Sequence, residues 1–265
     1  MNITGQTVLL TGATGGIGDA IARLVAARGG RLVLTGRRLH ALESLAADLG
    51  ARALACDLAD RDQVERLATD AGAVDVLIAN AGLPADGHLL DFEPGHLDRA
   101  LDVNLRAPIM LARLLAPAMV QRRSGHLVFV SSTSGKVATS GSSLYSATKF
   151  GLRGFASGLR QDLHGSGVGV STVFPGFIRD AGMFARSGVE LPRGVGTRSP
   201  QEVAAAIVRA IEDDRAEVDV APVSLRFSSA FAGLMPDIAA RIARRLGSDR
   251  IAADLAASDA HRSHR

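Results

Sequence analysis

The sequence predicts an α/β fold, a doubly wound parallel sheet of about seven strands with helices on both faces. Three observations predict it. Short apolar runs alternate with longer helical patterns, and strands that alternate with helices build parallel sheets. The first run and the first helical pattern are joined by a glycine-rich turn. The composition is 47% hydrophobic with 29 Gly and 4% aromatic residues, which suits Ala-rich helices around a sheet better than an all-β fold. A chain of 265 residues is long enough for one large domain with a sizeable core.

In chain order, residues 7–10 form a strand that ends in Thr11-Gly12, and 20–27 has helical character. Residues 31–35 and 39–49 give the second strand and helix, and 51–56 and 61–69 the third pair. A fourth strand spans 74–79. A long helix over 97–121 tolerates Pro108 and Pro117 as kinks. Residues 126–130 are a fifth strand, 144–163 a helix, 168–174 a sixth strand, 201–212 a helix and 217–220 a short seventh strand. With no internal repeat and no linker, 1–265 reads as a single domain.

Two regions break the alternation. Residues 179–199 hold four glycines and read as a mobile lid over a site. In the tail, Phe227, Phe231, Leu234, Ile238 and Ile242 recur at helical spacing beside Arg241, Arg244 and Arg245, interrupted by Pro236. This amphipathic segment, 225–246, is expected to pack on its own domain or on a partner subunit.

Bulk properties exclude several classes. Thirty basic and 27 acidic residues are interspersed and the net charge is only +3, so no basic patch points to nucleic acid. A single cysteine, Cys56, excludes an internal disulfide and a Cys-based zinc site, and no metal site is expected. Its neighbours suggest a buried strand thiol. No export signal and no membrane span are read from the chain, and a cytoplasmic location is the expectation.

Tyr145 is the only tyrosine, and Lys149, four residues on, is one of two lysines. That spacing puts both side chains on one helix face. An ammonium beside a phenol stabilises the phenolate and draws its pKa from ~10 toward the working range. A compact ammonium suits this better than a planar guanidinium.

Gly12, Thr14, Gly15, Gly16, Ile17 and Gly18 lie in the turn between the first strand and first helix. Glycines let the backbone approach a pyrophosphate, whose charge the helix N-terminus stabilises. The spacing is not that of a P-loop. The second strand ends in Thr35-Gly36-Arg37-Arg38. An acidic residue there would bond ribose hydroxyls, whereas two arginines suit a 2′-phosphate. NADP(H) is therefore favoured, with NAD(H) the alternative.

In order and separation, these residues resemble the short-chain dehydrogenase/reductase family, over 6–220. The cradle is similar to the family's T-G-x-x-x-G-x-G, and Asp57-Leu58 to its adenine-binding pair. Asn80-Ala81-Gly82 resembles its N-A-G turn, Asn104 its helix asparagine, and Pro175-Gly176 the turn after the sixth strand. Ser132 stands thirteen residues before Tyr145, with Ser131 one residue off that spacing.

The resemblance implies a Rossmann-like NADP(H)-dependent oxidoreductase interconverting a carbonyl and an alcohol. Tyr145 would exchange the substrate proton, Lys149 would lower the tyrosine pKa and bond the nicotinamide ribose, and Ser132 would bond the substrate oxygen. Asn104 would hold a water leading to Lys149. Two departures stand out. Ala79 replaces the first asparagine of the N-A-G turn, and Asp180 occupies the usual position of a threonine that bonds the carboxamide. Asp180 would accept from the carboxamide while the Ile178 backbone donates, or else the lid is shifted. The alternative readings are a non-catalytic dinucleotide-binding scaffold and an enoyl reductase; the latter usually has a longer Tyr-to-Lys spacing. Leu83, Pro84, Val137, Leu144, Phe177, Met183, Phe184 and Leu191 are the expected pocket edge, mostly apolar, which suggests a hydrophobic small-molecule substrate. The family usually pairs its long helices, so a homodimer or homotetramer is expected.

Overall fold

The computed structural model describes residues 1–187 and 196–245. Seven strands, β1 (Thr7–Thr11), β2 (Arg31–Gly36), β3 (Arg52–Ala55), β4 (Val76–Ala79), β5 (Gly125–Val130), β6 (Val168–Pro175) and β7 (Glu217–Val220), form one sheet in the order β3-β2-β1-β4-β5-β6-β7. Every pairing is parallel. The order reverses between β1 and β4, and such a switch point opens a crevice at the carboxyl ends of the strands.

The sheet is covered on both faces because alternate residues of its inner strands supply different cores. Val8, Leu10, Val76, Ile78, Val128 and Val130 pack with α1 (Gly16–Ala27), α2 (Leu39–Leu49) and α8 (Pro200–Glu212). Leu9, Leu77, Leu127 and Phe129 pack on the other side with α3 (Arg61–Ala71), α5 (Ala107–Gln121) and α6 (Ser143–Asp162). Helix α8 starts with a full capping box, Ser199 accepting from the Glu202 N–H and Glu202 accepting from the Ser199 N–H.

The predicted long helix is a compound one. α4 (Pro94–Leu101) runs through a π turn at Asp102–Arg106 into α5. The π turn shifts the hydrogen-bond ladder just before Pro108, which lacks an N–H to contribute. β3 is shorter than expected, so Cys56 sits just beyond it, though still buried. Pro94–Gln121 is long and apolar enough, by composition, to cross a bilayer. Its apolar face is instead spent on the sheet: Val103, Ala107, Leu111, Leu115 and Met119 are buried in the domain core.

Beyond β6, a short helix α7 (Gly182–Ser187) leaves the sheet and the chain returns through an isolated bridge between Ile178 and Arg198. The Arg179 N–H donates to Arg198 O and the Arg198 N–H donates to Phe177 O, tying the two ends of this excursion together. The tail forms α9 (Val223–Leu234) and α10 (Pro236–Arg245), divided at Pro236 as the sequence suggested. Phe227, Phe231, Leu234, Ile238 and Ile242 are exposed. The part of the predicted segment at 246 lies outside the described residues.

Candidate active site

A cleft of about 800 Å³ opens at the carboxyl ends of β1, β4, β5 and β6. One end is the glycine-rich turn. Gly12 has φ +67°, and a Cβ on it would lie 2.8 Å from the Ala81 Cα. A Cβ on Gly18 would lie 2.1 Å from the Gly12 carbonyl oxygen. Only glycine lets the turn close so tightly between β1 and β4. Gly15 is the N-cap of α1, so the first-turn N–H groups from Gly16 on face the cleft without intrahelical acceptors. That is an anion site built from backbone. The Thr11 hydroxyl accepts from the Asn80 and Ala81 N–H groups, and the Asn80 amide donates to Thr11 O and Gly12 O. Asn80 therefore fixes the turn that carries the cradle. Ala79 leaves these bonds intact.

Beside this turn, Gly36, Arg37 and Arg38 line the cleft. Arg38 donates to the Thr14 carbonyl at 2.6 Å and stiffens the glycine turn. Asp57 and Leu58 complete this end. Asp57 accepts from the Ala59 N–H and from Arg99 on α4, at 3.1 and 2.8 Å to its two oxygens. Burial alone would raise the Asp57 pKa, but the Arg99 and Ala59 bonds and the charges of Arg99 and Arg37 hold it below the usual carboxylate range. Burial pushes the neighbouring Cys56 thiol up to about 11, helped by the Asp57 and Asp60 charges, so it remains a neutral wall residue.

At the other end, α6 presents Tyr145 and Lys149 on one face, both buried and both lining the cleft. The Lys149 Nζ lies 5.5 Å from the Tyr145 ring centroid and donates to Val130 O at 3.0 Å. Burial lowers the Lys149 pKa to about 8, so the ammonium is still mostly charged at neutral pH. The Ser131 hydroxyl donates to the Lys149 carbonyl and ties α6 to the end of β5. Ser132, one residue on, accepts from the Ser134 N–H at 3.1 Å, which leaves its own proton to donate into the cleft. Both serines line the cleft, but Ser131 spends its proton on the Lys149 carbonyl whereas Ser132 accepts from the Ser134 N–H.

Asn104 is the one predicted site residue behind the cleft wall. It is buried in the π turn, where Oδ1 accepts from the Leu83 N–H at 2.7 Å and Nδ2 donates to Leu83 O at 2.9 Å. The side-chain amide of Asn104 thus clamps the 81–83 turn. Gly82 fills the space between: a Cβ there would be 3.6 Å from the Lys149 Nζ and 3.7 Å from the Asn104 Oδ1.

Pro175, Gly176, Phe177 and Ile178 continue the wall, with Phe177 and Phe184 ring centroids 5.0 Å apart. Ala181 reaches over the cradle, since a Cβ on Gly16 would be 2.1 Å from its Cβ. Asp180 departs from expectation. Its side chain is 71% exposed, is paired with Arg179 at 3.4 Å, and is not part of the cleft wall. A positive φ of 67° at Asp180 turns the chain there, a conformation that aspartate tolerates better than most residues.

The pocket edge also differs from expectation. Leu83, Val137, Phe177 and Phe184 line it, whereas Leu144 packs below with Ala85 and Ala100, and Pro84 is off the wall. The Met183 side chain and Leu191 lie outside the described residues. Sequence reasoning missed Leu225 of α9 and a hydroxyl-rich flank of Thr133, Ser134, Thr139, Ser140 and Ser142 with Asp86. Runs of serine and threonine carry no periodicity, so nothing local marked them.

The sequence profile of the short chain dehydrogenase family matches residues 6–190, and the chain belongs to that family. It is 37% identical to the ketoacyl reductase HetN of a Nostoc species, over 82% of this chain and 79% of that one. It is 35% identical to the 3-oxoacyl-[acyl-carrier-protein] reductase FabG of Rickettsia conorii, over 68% and 75%. Among solved structures, the short-chain dehydrogenase from Sphingobium yanoikuyae in complex with NADPH superposes with a TM-score of 0.76. It is 30% identical, with 88% of this chain and 96% of that one covered. This protein is an NAD(P)(H)-dependent oxidoreductase acting on a carbonyl or alcohol.

Proposed function

We propose that this protein reduces a hydrophobic carbonyl compound with NADPH, or oxidises the corresponding alcohol with NADP⁺. The observation that carries the reading is the buried Tyr145–Lys149 face at one end of a cleft whose other end is a glycine cradle flanked by two arginines. The fit to the dinucleotide is steric as well as electrostatic. Gly12, Gly15, Gly16, Ile17 and Gly18 would receive the pyrophosphate, Asp57 and Leu58 the adenine, and Pro175 to Ile178 the nicotinamide end. Arg38 is bound to Thr14, so Arg37 is the principal partner for a 2′-phosphate.

The bound cofactor would supply or accept the hydride. The chain's own residues do the rest. Ser132 donates to the substrate oxygen and stabilises charge that develops on it. Tyr145 gives that oxygen its proton in reduction and takes it back in oxidation. Lys149 keeps a positive charge beside the phenol and would bond the ribose of a bound cofactor. Asn104, through Leu83, positions the turn that closes the site. Ala181 and Gly182 lie over the cradle at Gly16 and Ile17. Leu101, Leu114 and Phe150 are exposed apolar groups on α4, α5 and α6, which supports pairing of these helices with a second copy.

The relatives named as ketoacyl reductases make 3-oxoacyl thioesters the first substrates to try, alongside aromatic and aliphatic ketones. The test is consumption of NADPH and of NADH against that panel. The reading expects turnover of at least one apolar ketone, faster with NADPH. No turnover of any carbonyl, or a clear preference for NADH, contradicts it.

A further inference from the structure

We propose that Arg99 is a cofactor-selecting residue: by holding and neutralising Asp57, it keeps the adenosine end of the cleft receptive to a 2′-phosphate. The inference rests on the NADP(H) reading above and adds a residue that lies outside the cleft wall.

Three charges meet at this end. Arg37 and Asp57 line the cleft, and Arg99 reaches Asp57 from α4 behind it. Arg99 is the partner that fixes the carboxylate, with one nitrogen within hydrogen-bond distance of both oxygens. The Ala59 N–H takes a further site on Oδ1. A carboxylate offers about four lone-pair sites, so one acceptor site remains for an adenine amine. The loop that carries Asp57 is tied to the same helical run a second time, because Arg106 donates to the Ala59 carbonyl at 3.0 Å.

The consequence is electrostatic. The Arg37 charge already acts on the Asp57 carboxylate, so the two groups are close enough to interact. Without Arg99, Asp57 would be an uncompensated anion beside the phosphate-binding arginines. It would compete with the phosphate for Arg37 and repel it directly. A cofactor without a 2′-phosphate escapes both penalties and loses only the fixed orientation of Asp57. Selectivity between the two cofactors therefore depends on a residue that touches neither.

The test is direct binding of NADPH and NADH to the purified full-length protein, followed by nicotinamide fluorescence, so no substrate is needed. Arg99→Gln should weaken NADPH by about tenfold, the scale of one charge-assisted contact at a partly exposed site, and NADH by about threefold or less. The NADPH deficit should shrink with added salt. Arg99→Lys, which keeps the charge, should recover most of the preference. Unfolding of the cofactor-free variants separates this from simple loss of packing. A lower Tm with equal weakening of both cofactors makes Arg99 structural and overturns the inference. Unchanged affinities overturn it too. Arg37→Ala, measured in parallel, tests the underlying reading alone. If it abolishes the NADPH preference while Arg99→Gln preserves it, the NADP(H) reading stands and the Arg99 inference fails. If Arg37→Ala leaves the NADPH-to-NADH ratio unchanged, the NADP(H) reading fails and the selection assigned to Arg99 falls with it.

Discussion

Replacing Lys149 with methionine should stabilise the cofactor-free protein while destroying its activity. Lys149 is buried and its ammonium loses hydration, which lowers its pKa from 10.5 to about 8. Each pKa unit is about 1.4 kcal/mol, so holding the charge inside costs about 3 kcal/mol at neutral pH. Methionine keeps most of the apolar stem but loses the hydrogen bond to Val130 O, worth about 1 kcal/mol. The net gain is about 2 kcal/mol, or roughly 4–8 °C in Tm for a domain of this size. The pH dependence follows from the sign of the shift. Between pH 8 and 10.5 the unfolded chain binds more protons at this site than the folded one, so wild-type stability gains from rising pH across that window. The full cost is present below pH 8 and gone above 10.5. The advantage of Lys149→Met should accordingly be largest below pH 8 and fade above it. Urea unfolding of both proteins from pH 6 to pH 10.5 measures this, with the difference between them cancelling effects they share. A variant less stable than wild type at pH 7, or a difference independent of pH, would refute the reasoning that Lys149 is kept buried and charged at a cost.

Three further outcomes follow from the same geometry. Gly18→Ala forces a Cβ to within 2.1 Å of the Gly12 carbonyl oxygen and 2.9 Å of the Ala13 backbone, neither of which can yield. Denaturant titration should show a loss of about 3 kcal/mol, and cofactor fluorescence a weakened cradle. His126 is buried against Ser171 with its pKa lowered to about 4, mainly by burial. The unfolded chain therefore binds the extra proton first, and stability should fall by about 3 kcal/mol as pH drops from 6.5 to 4; His126→Gln should flatten that slope. Gly36→Asp should shift preference toward NADH, because a Cβ at 36 meets only ordinary contacts, 3.5 Å from the Thr14 hydroxyl and 3.9 Å from Leu42. The ratio of kcat/KM values reads it, and an unchanged ratio would remove the basis for the cofactor preference.

The parts of this protein that were legible in its sequence are those that depend on near neighbours. The order of strands and helices follows from local patterning, and the cradle from glycines spaced within one turn. Tyr145 and Lys149 declare themselves by rarity and by an interval that a helix converts into a shared face. What stayed hidden depends on segments that only the fold brings together. Arg99 meets Asp57 across 42 residues, and nothing near either predicts the other. The π turn around Asn104 has no periodic signature, since it is a single extra residue in an otherwise regular ladder. Its amide is used on Leu83, 21 residues earlier, which spacing alone did not disclose. Asp180 was placed by alignment to a pattern, but a left-handed backbone turns it outward to Arg179. Leu225 reaches the cleft because α9 returns beneath Gly176, a contact between distant parts of the chain.

The central claim is that the phenol of Tyr145 moves the substrate proton, and Tyr145→Phe tests it most directly. The substitution removes one oxygen and keeps the ring that packs with Leu144, Ala85 and Ala100. With a substrate identified from the ketone panel, kcat should drop by at least ~10²-fold while NADPH binding, measured by fluorescence, is largely kept. A variant that turns over near the wild-type rate would contradict the account, because proton transfer would then belong to another group in the cleft.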